Sequence, residues 1–168
     1  IDVGSEYKPG GTGIVAFGKT ARRVTQQGMD ELGRWSWMAF EGEDNKVTLV
    51  MSIYQCCKNL TNPQGTTAFH QQETMLSEMN RDDCDPRRNF YKDMYKFIKN
   101  FVKKEKKNDK QVRPMLIGDW NEECIGKSNA KKLCDEFGLV NIFHRKFPNH
   151  EKFKTYQEGS RFIDYLSR

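Results

Sequence analysis

At 168 residues, 36% hydrophobic and 30% charged, the chain is long enough for one domain with a real core, residues 1–168. No apolar run approaches the ~18 residues of a membrane span, and the first residues lack the basic and apolar regions of a signal peptide. Twenty-eight Lys and Arg against 23 Asp and Glu leave +5, a mild bias toward a polyanionic partner. Five cysteines, odd in number and without a C-x-x-C pair, argue against a disulfide framework or a zinc site and favour a reducing, intracellular compartment.

Residues 8–13 are turn-rich, and Ile14-Val15-Ala16-Phe17 follows as a short buried strand ended by Gly18. The glycines bring backbone N–H groups within reach of a phosphate, but no Walker-type Lys-Ser/Thr follows, so the turn reading leads. Residues 33–40 alternate Trp35, Trp37 and Ala39 against Ser36, Met38 and Phe40, which predicts a strand. A polar hairpin loop over 41–46 then returns the chain through a strand over 47–54. This makes the first third an antiparallel meander that exits at Tyr54 and Gln55. The Tyr54 hydroxyl either sits in water at the core edge or donates to a phosphate oxygen.

A loop over 59–65 leads to a helix capped by Thr66 or Thr67 and carrying Phe69, Gln72, Met75, Leu76 and Met79 at helical spacing. Residues 81–86 break the pattern. Phe90, Met94, Phe97, Ile98, Phe101 and Val102 then mark an amphipathic helix. Its lysines, Lys103, Lys104, Lys106 and Lys107, complement the helix dipole more simply than they make a nucleic-acid patch.

The centre of the argument is Met115-Leu116-Ile117-Gly118-Asp119-Trp120-Asn121-Glu122. It reads as a short apolar strand whose alternation puts Asp119 and Asn121 on one side and Trp120 on the other. Gly118 lets the backbone bend or another group approach closely. A carboxylate beside a carboxamide suits a hydrated divalent cation, or a phosphate ester with its attacking water; it also suits a plain turn.

A helix over 128–137, a short strand or turn over 139–143, and a polar loop holding His144 and His150 come next. The two His, six apart and without a third ligand, do not make a metal site. Residues 153–156 and 161–166 read as a hairpin about 157–160. Asp164 falls inside its apolar second strand, and a buried acid there needs a partner. Strands, two helices, strand, helix and strands predict a mixed α/β domain.

Four segments, in this order, resemble the endonuclease/exonuclease/phosphatase superfamily, and in flavour the endonuclease-like domain of non-LTR retrotransposons. They are Gly10-Gly11-Thr12-Gly13-Ile14; the strand 49–54 ending in Tyr54; Ile117-Gly118-Asp119-Trp120-Asn121, with Trp120 where Phe is usual; and Thr155-Tyr156 with Ile163-Asp164-Tyr165. The likeness covers nearly the whole chain. It implies a four-layer α/β sandwich, two mixed sheets face to face with helices outside. It also implies Mg²⁺- or Mn²⁺-dependent cleavage of phosphoesters, with DNA as the substrate. By resemblance Tyr54 contacts the phosphate and Asp119 orients or deprotonates the attacking water and is the metal-binding candidate. Asn121 holds Asp119 and the phosphate oxygens, and Asp164 orients a catalytic His.

The departures shape the second expectation. The family's metal-binding Glu lies upstream of the glycine-rich segment, where only nine residues precede Gly10, and Glu6 has a turn-like context. The family's His belongs to a Ser-Asp-His segment after the Ile-Asp-Tyr strand, where this chain has four residues past Asp164. Phe162 replaces a common basic residue, with Arg161 beside it as a phosphate-binding substitute. The chain opens without Met and stops straight after an apolar run, so the domain is expected to be incomplete at both ends, with sheet edges that a protein partner covers. The alternative function is a catalytically degenerate family member that serves as a structural or binding subunit of a larger assembly.

Overall fold

The computed structural model describes residues 11–58, 67–148, 155 and 163–168. The elements are α1 (Gly18–Ala21), β1 (Val24–Met29), β2 (Trp35–Glu41), β3 (Lys46–Tyr54), α2 (Ala68–Glu78), α3 (Pro86–Lys107), β4 (Gln111–Asp119), α4 (Asn129–Glu136), α5 (Ile142–Lys146) and β5 (Asp164–Ser167). The fold is α/β, built on one five-stranded mixed sheet in the order β1-β2-β3-β4-β5. β1, β2 and β3 are antiparallel neighbours, β3 and β4 are parallel, and β5 returns antiparallel to β4. The parallel pair needs a crossover, which α2 and α3 supply.

Register decides the two faces. Trp35, Trp37 and Ala39 of β2 share a side with Val47, Leu49, Met51 and Ile53 of β3 and with Leu116 of β4. That side is the core: it packs against Phe90, Met94, Ile98 and Phe101 of α3 and Ala130 and Leu133 of α4. Trp35 meets Phe90 edge-on at 5.9 Å between ring centroids, and Trp37 meets Phe101 at 5.6 Å. The opposite side carries Met38, Phe40, Val50, Met115 and Ile117, none of which joins this core.

The helices start where their caps dictate. Thr67 caps α2, accepting from His70 N–H. The Asp85 carboxylate accepts from the N–H of Arg87 and Arg88, and Pro86 opens α3 where its missing N–H costs nothing. Ser128 caps α4. Lys104, Lys106 and Lys107 close the last turn of α3, and Lys104 Nζ donates to Gln26 of β1 at 2.9 Å.

Two local expectations fail, and one strand stands where the sequence suggested none. Residues 14–17 form no strand: Val15 and Phe17 are 84% and 81% exposed, and no described strand lies beside them to satisfy their backbone. Val24–Met29 is a strand despite its polar sequence, because an edge strand buries only alternate residues, and a bulge sits between Val24 and Gln26. Residues 142–146 are helical, so His144 lies in α5 rather than in a loop; the expected strand or turn over 139–143 is reduced to one bridge, Asn141 to Ser167, closed by the paired backbone hydrogen bonds of Val140 and Arg168. The 59–65 loop, His150 and, of the 153–166 hairpin, residues 153–154 and 156–162 lie outside the described residues, while its second strand is described from 163 on and appears as β5.

A buried ion cluster closes the turn between β1 and β2. Arg34, 3% exposed, donates through Nε and Nη2 to both oxygens of Asp30 and through Nη2 to Asp93 on α3 at 2.9 Å. Its guanidinium lies 4.7 Å from the Trp35 ring centroid. Removing Asp30 leaves the buried guanidinium with Asp93 as its one close carboxylate and takes away the acceptor of Nε and one of the two acceptors of Nη2. Asp30→Ala is therefore expected to cost about 3–5 kcal/mol, measured by urea unfolding; a loss under 1 kcal/mol contradicts this account.

Candidate phosphoester site

Three strand ends build the site. Tyr54 is the last residue of β3, Asp119 the last of β4 and Asp164 the first of β5. In register, Tyr54 is opposite Asp119 and Asp119 is opposite Asp164. The three residues thus form one row across adjacent strands, on the sheet side away from the helical core. Residues 65 and 45 positions apart in sequence become neighbours through pairing alone.

The backbone at Gly118 makes this pairing possible. Its φ is +143°, and a Cβ there would lie 2.0 Å from the Ile53 carbonyl oxygen of β3. The close approach that the sequence allows at Gly118 is made by the backbone of this neighbouring strand. Trp120 N–H then donates to Ile163 O at 2.9 Å, and the Trp120 side chain is fully buried, stacked beside Tyr91.

Asn121 reaches Asp119 by a different route from strand alternation. β4 ends at Asp119, and Asn121 adopts a left-handed φ of 45°. Its N–H donates to Asp119 Oδ1 at 2.8 Å and its Nδ2 to Asp119 Oδ2 at 3.0 Å, the hydrogen bonding of an Asx turn with an added side-chain bond. Nδ2 also donates to Gln55 O at 2.7 Å, while Oδ1 accepts from Cys57 Sγ at 2.9 Å. Both amide hydrogens are therefore engaged within the protein. Gln55 N–H in turn donates to Asp119 O, which ties the exits of β3 and β4 together.

Arg87, at the start of α3, holds both loops. Nη1 donates to Cys56 O at 2.7 Å and Nη2 to Asn121 O at 3.1 Å, with Glu122 Oε2 3.7 Å away. Glu122 also accepts from Asn129 N–H at the start of α4. Neither Arg87, Gln55 nor Cys57 stands out in the sequence, because each acts through main-chain carbonyls or through Asn121, which leave no side-chain pattern. Beside Tyr54 a pocket of about 240 Å³ is lined by Cys57, Lys58, Thr67 and Phe69.

Asp164 is exposed rather than buried, because it opens the last described strand with no described strand beyond it. Thr155 Oγ1 accepts from the N–H groups of Ile163 and Asp164 at 3.1 and 3.2 Å and fixes the start of β5. Arg161 lies outside the described residues.

Burial pushes the Asp119 carboxyl above the ordinary aspartate value of 3.8; the Asn121 N–H opposes this shift and the Asp164 charge adds to it. Burial likewise pushes the Cys56 thiol up to about 11. Asp119 brings hard carboxylate oxygens, with Asp164 as its register partner. That is the one or two carboxylates a largely hydrated Mg²⁺ takes beside a substrate phosphate. Among the described residues no group of three His, Cys, Asp or Glu converges as a metal cage. No helix of the described residues is long and apolar enough to cross a membrane. Set against protein-family models and curated proteins, the chain matches none.

Two outcomes follow from this geometry. Gly118→Ala places a methyl against the Ile53 carbonyl and is expected to destabilise by about 3 kcal/mol or more, or to prevent folding; a near-neutral effect in thermal unfolding contradicts the register. The second concerns charge. Because the folded-state pKa of Asp119 is raised, its contribution to stability is full below 3.8 and is lost as pH rises through the folded value. Asp164→Asn removes one cause of that rise. It should lower the Asp119 pKa, read by carboxyl NMR titration, and lessen the stability lost across this window.

Proposed function

We propose that this chain is a divalent-metal-dependent phosphodiesterase of the endonuclease/exonuclease/phosphatase superfamily, an endonuclease that nicks DNA, related in kind to retrotransposon endonucleases. The observation that carries the reading is the Tyr54–Asp119–Asp164 row, with Asn121 fastened to its central carboxylate. In-line hydrolysis of a phosphodiester needs an oriented water, a donor on the phosphoryl oxygens and charge compensation. Asp119, with a raised pKa and a fixed orientation, accepts the proton of the attacking water. Tyr54 donates its hydroxyl to a phosphoryl oxygen. Asn121 holds Asp119, its amide hydrogens being spent on Asp119 and Gln55. Asp164 keeps a second carboxylate beside Asp119 and orients a proton-transferring partner. Arg161 is assigned to the phosphate. Mg²⁺ or Mn²⁺ held by Asp119, when bound, supplies Lewis-acid polarisation of the phosphoryl group.

The same reading extends to the fold. The five-stranded sheet is one half of a two-sheet, four-layer sandwich. In support, its second side carries Met38, Phe40, Val50, Met115 and the 41%-exposed Ile117 outside the described core. That apolar side also favours the alternative, a degenerate member whose sheet is covered by a protein partner in an assembly.

Nicking of supercoiled DNA in Mg²⁺ by the chain with its natural flanking sequence separates the two. The enzyme reading expects nicking that falls about 10³-fold or more in Asp119→Ala and about 10²-fold in Tyr54→Phe. Equal nicking by Asp119→Ala, or none by the parent, overturns it.

A further inference from the structure

We propose that Cys124 and Cys134 are a reversible redox pair, closed to a disulfide by exchange with a small disulfide of the glutathione class, and that closure fastens the link after Asp119 onto α4. The two sulfurs lie 3.7 Å apart, in contact across 10 residues of sequence. A disulfide bond is about 2 Å long, so closing it asks for an approach of less than about 2 Å. Cys124 stands in the irregular link between β4 and α4, and Cys134 on the buried side of α4. Side-chain torsions and the link supply that movement while the helix stays in place. The other described thiols are placed differently. Cys57 and Cys84 donate to oxygens, Asn121 Oδ1 and Arg81 O, and burial holds the Cys56 thiol protonated at neutral pH.

Reactivity differs across the pair. Cys124 is half-buried and within reach of an oxidant, whereas Cys134 is 2% exposed. The Lys131 ammonium, bonded to Asp135, also acts on both sulfurs through its charge and favours the thiolate, the form that reacts. The contact with Cys124 and then burial hold the Cys134 thiol above its ordinary value, which makes it the sulfur that acts second. The Cys124 thiolate attacks one sulfur of oxidised glutathione, and a glutathione thiolate leaves. Cys134 then gives up its proton to solvent and attacks Cys124 Sγ, and the second glutathione thiolate leaves. Two protein thiols lose two electrons and two protons, and one glutathione disulfide is reduced to two thiols.

Position gives the bond its consequence. The link between β4 and α4 is gripped near both ends, where Arg87 donates to Asn121 O and Glu122 accepts from Asn129 N–H. Between them Ile125, Gly126 and Lys127 are exposed. A bond at Cys124 ties this exposed stretch covalently to the third layer of contact below it, because Cys134 Sγ also meets Ser167 Oγ of β5 at 3.8 Å. Ser167 is fully buried and pairs with Leu116 of β4. The dithiol therefore sits where the link, α4 and β5 meet. This inference stands independently of the proposed phosphodiesterase activity, since its test reads thiols and amide protons rather than hydrolysis.

The test is titration of the folded chain with mixtures of reduced and oxidised glutathione, quenched by alkylation and read by peptide mass spectrometry. A disulfide joining Cys124 to Cys134 should form and should reverse with dithiothreitol, while Cys56, Cys57 and Cys84 remain thiols. Cys134→Ser should trap Cys124 as its glutathione mixed disulfide; if circular dichroism shows that variant unfolded, Cys124→Ser serves, and its Cys134 should stay unmodified. Amide exchange at residues 123–127 should slow about tenfold or more in the oxidised parent, and oxidant should leave it unchanged in Cys124→Ser. No Cys124–Cys134 disulfide in excess oxidised glutathione, its formation only in urea, equal pairing with the other cysteines, or unaltered exchange on closure overturns the proposal.

Discussion

Nine residues of β3 lie in parallel register with nine of β4, and the rest of the molecule is arranged by that contact. A parallel pair cannot be closed by a tight turn, so α2 and α3 must cross over the sheet. The crossover is what covers Leu49, Met51 and Leu116 with Phe90, Met94 and Ile98. The same register ends both strands at one level, so that Tyr54 and Asp119 emerge together while their preceding residues stay in the core. Slipping it by one residue would turn Asp119 to the other side of the sheet and expose the core positions of β4. Gly118 guards against this because its backbone packs against the Ile53 carbonyl in a way no side chain permits.

Polar groups finish what the pairing begins. Arg34 lends its carbonyl to Tyr54 N–H while its guanidinium bridges Asp30 to Asp93, so one residue binds the turn between β1 and β2, the end of β3 and α3. Arg87 does the corresponding task from the helix side, gathering the carbonyls of Cys56 and Asn121. Two buried or half-buried arginines thus connect the crossover to both strand exits. Neither bond set follows from hydrophobic pattern, and both use the several donors that a guanidinium carries in fixed geometry.

Much of this was legible in the residues. Alternating Trp35, Trp37 and Ala39 and the helical spacing from Phe90 to Val102 gave elements of the right kind, because burial on one side imposes a period. The acid–amide stretch at Asp119 and Asn121 marked the strand end, and Asp164 pointed to the neighbouring strand. Periodicity was silent where burial was slight: Val24–Met29 is polar and pairs only on one side, and residues 14–17 are apolar yet unpaired in the described structure. Asn121 shows a subtler limit. Its nearness to Asp119 was inferred from strand alternation, but a left-handed turn produces it, and a backbone dihedral is not written in side-chain polarity. Exposure of Asp164 followed from its place at the margin of the sheet, which apolar neighbours in sequence could not reveal.

The Asx turn at Asp119 has a thermodynamic meaning of its own. A carboxylate offers about four lone-pair positions. Two here are committed to the Asn121 N–H and Nδ2, so the group cannot spin about its terminal torsion. The remaining lone pairs keep fixed bearings before any ligand arrives. The rotational freedom of this side chain is surrendered during folding, and binding inherits an acceptor that is already aimed.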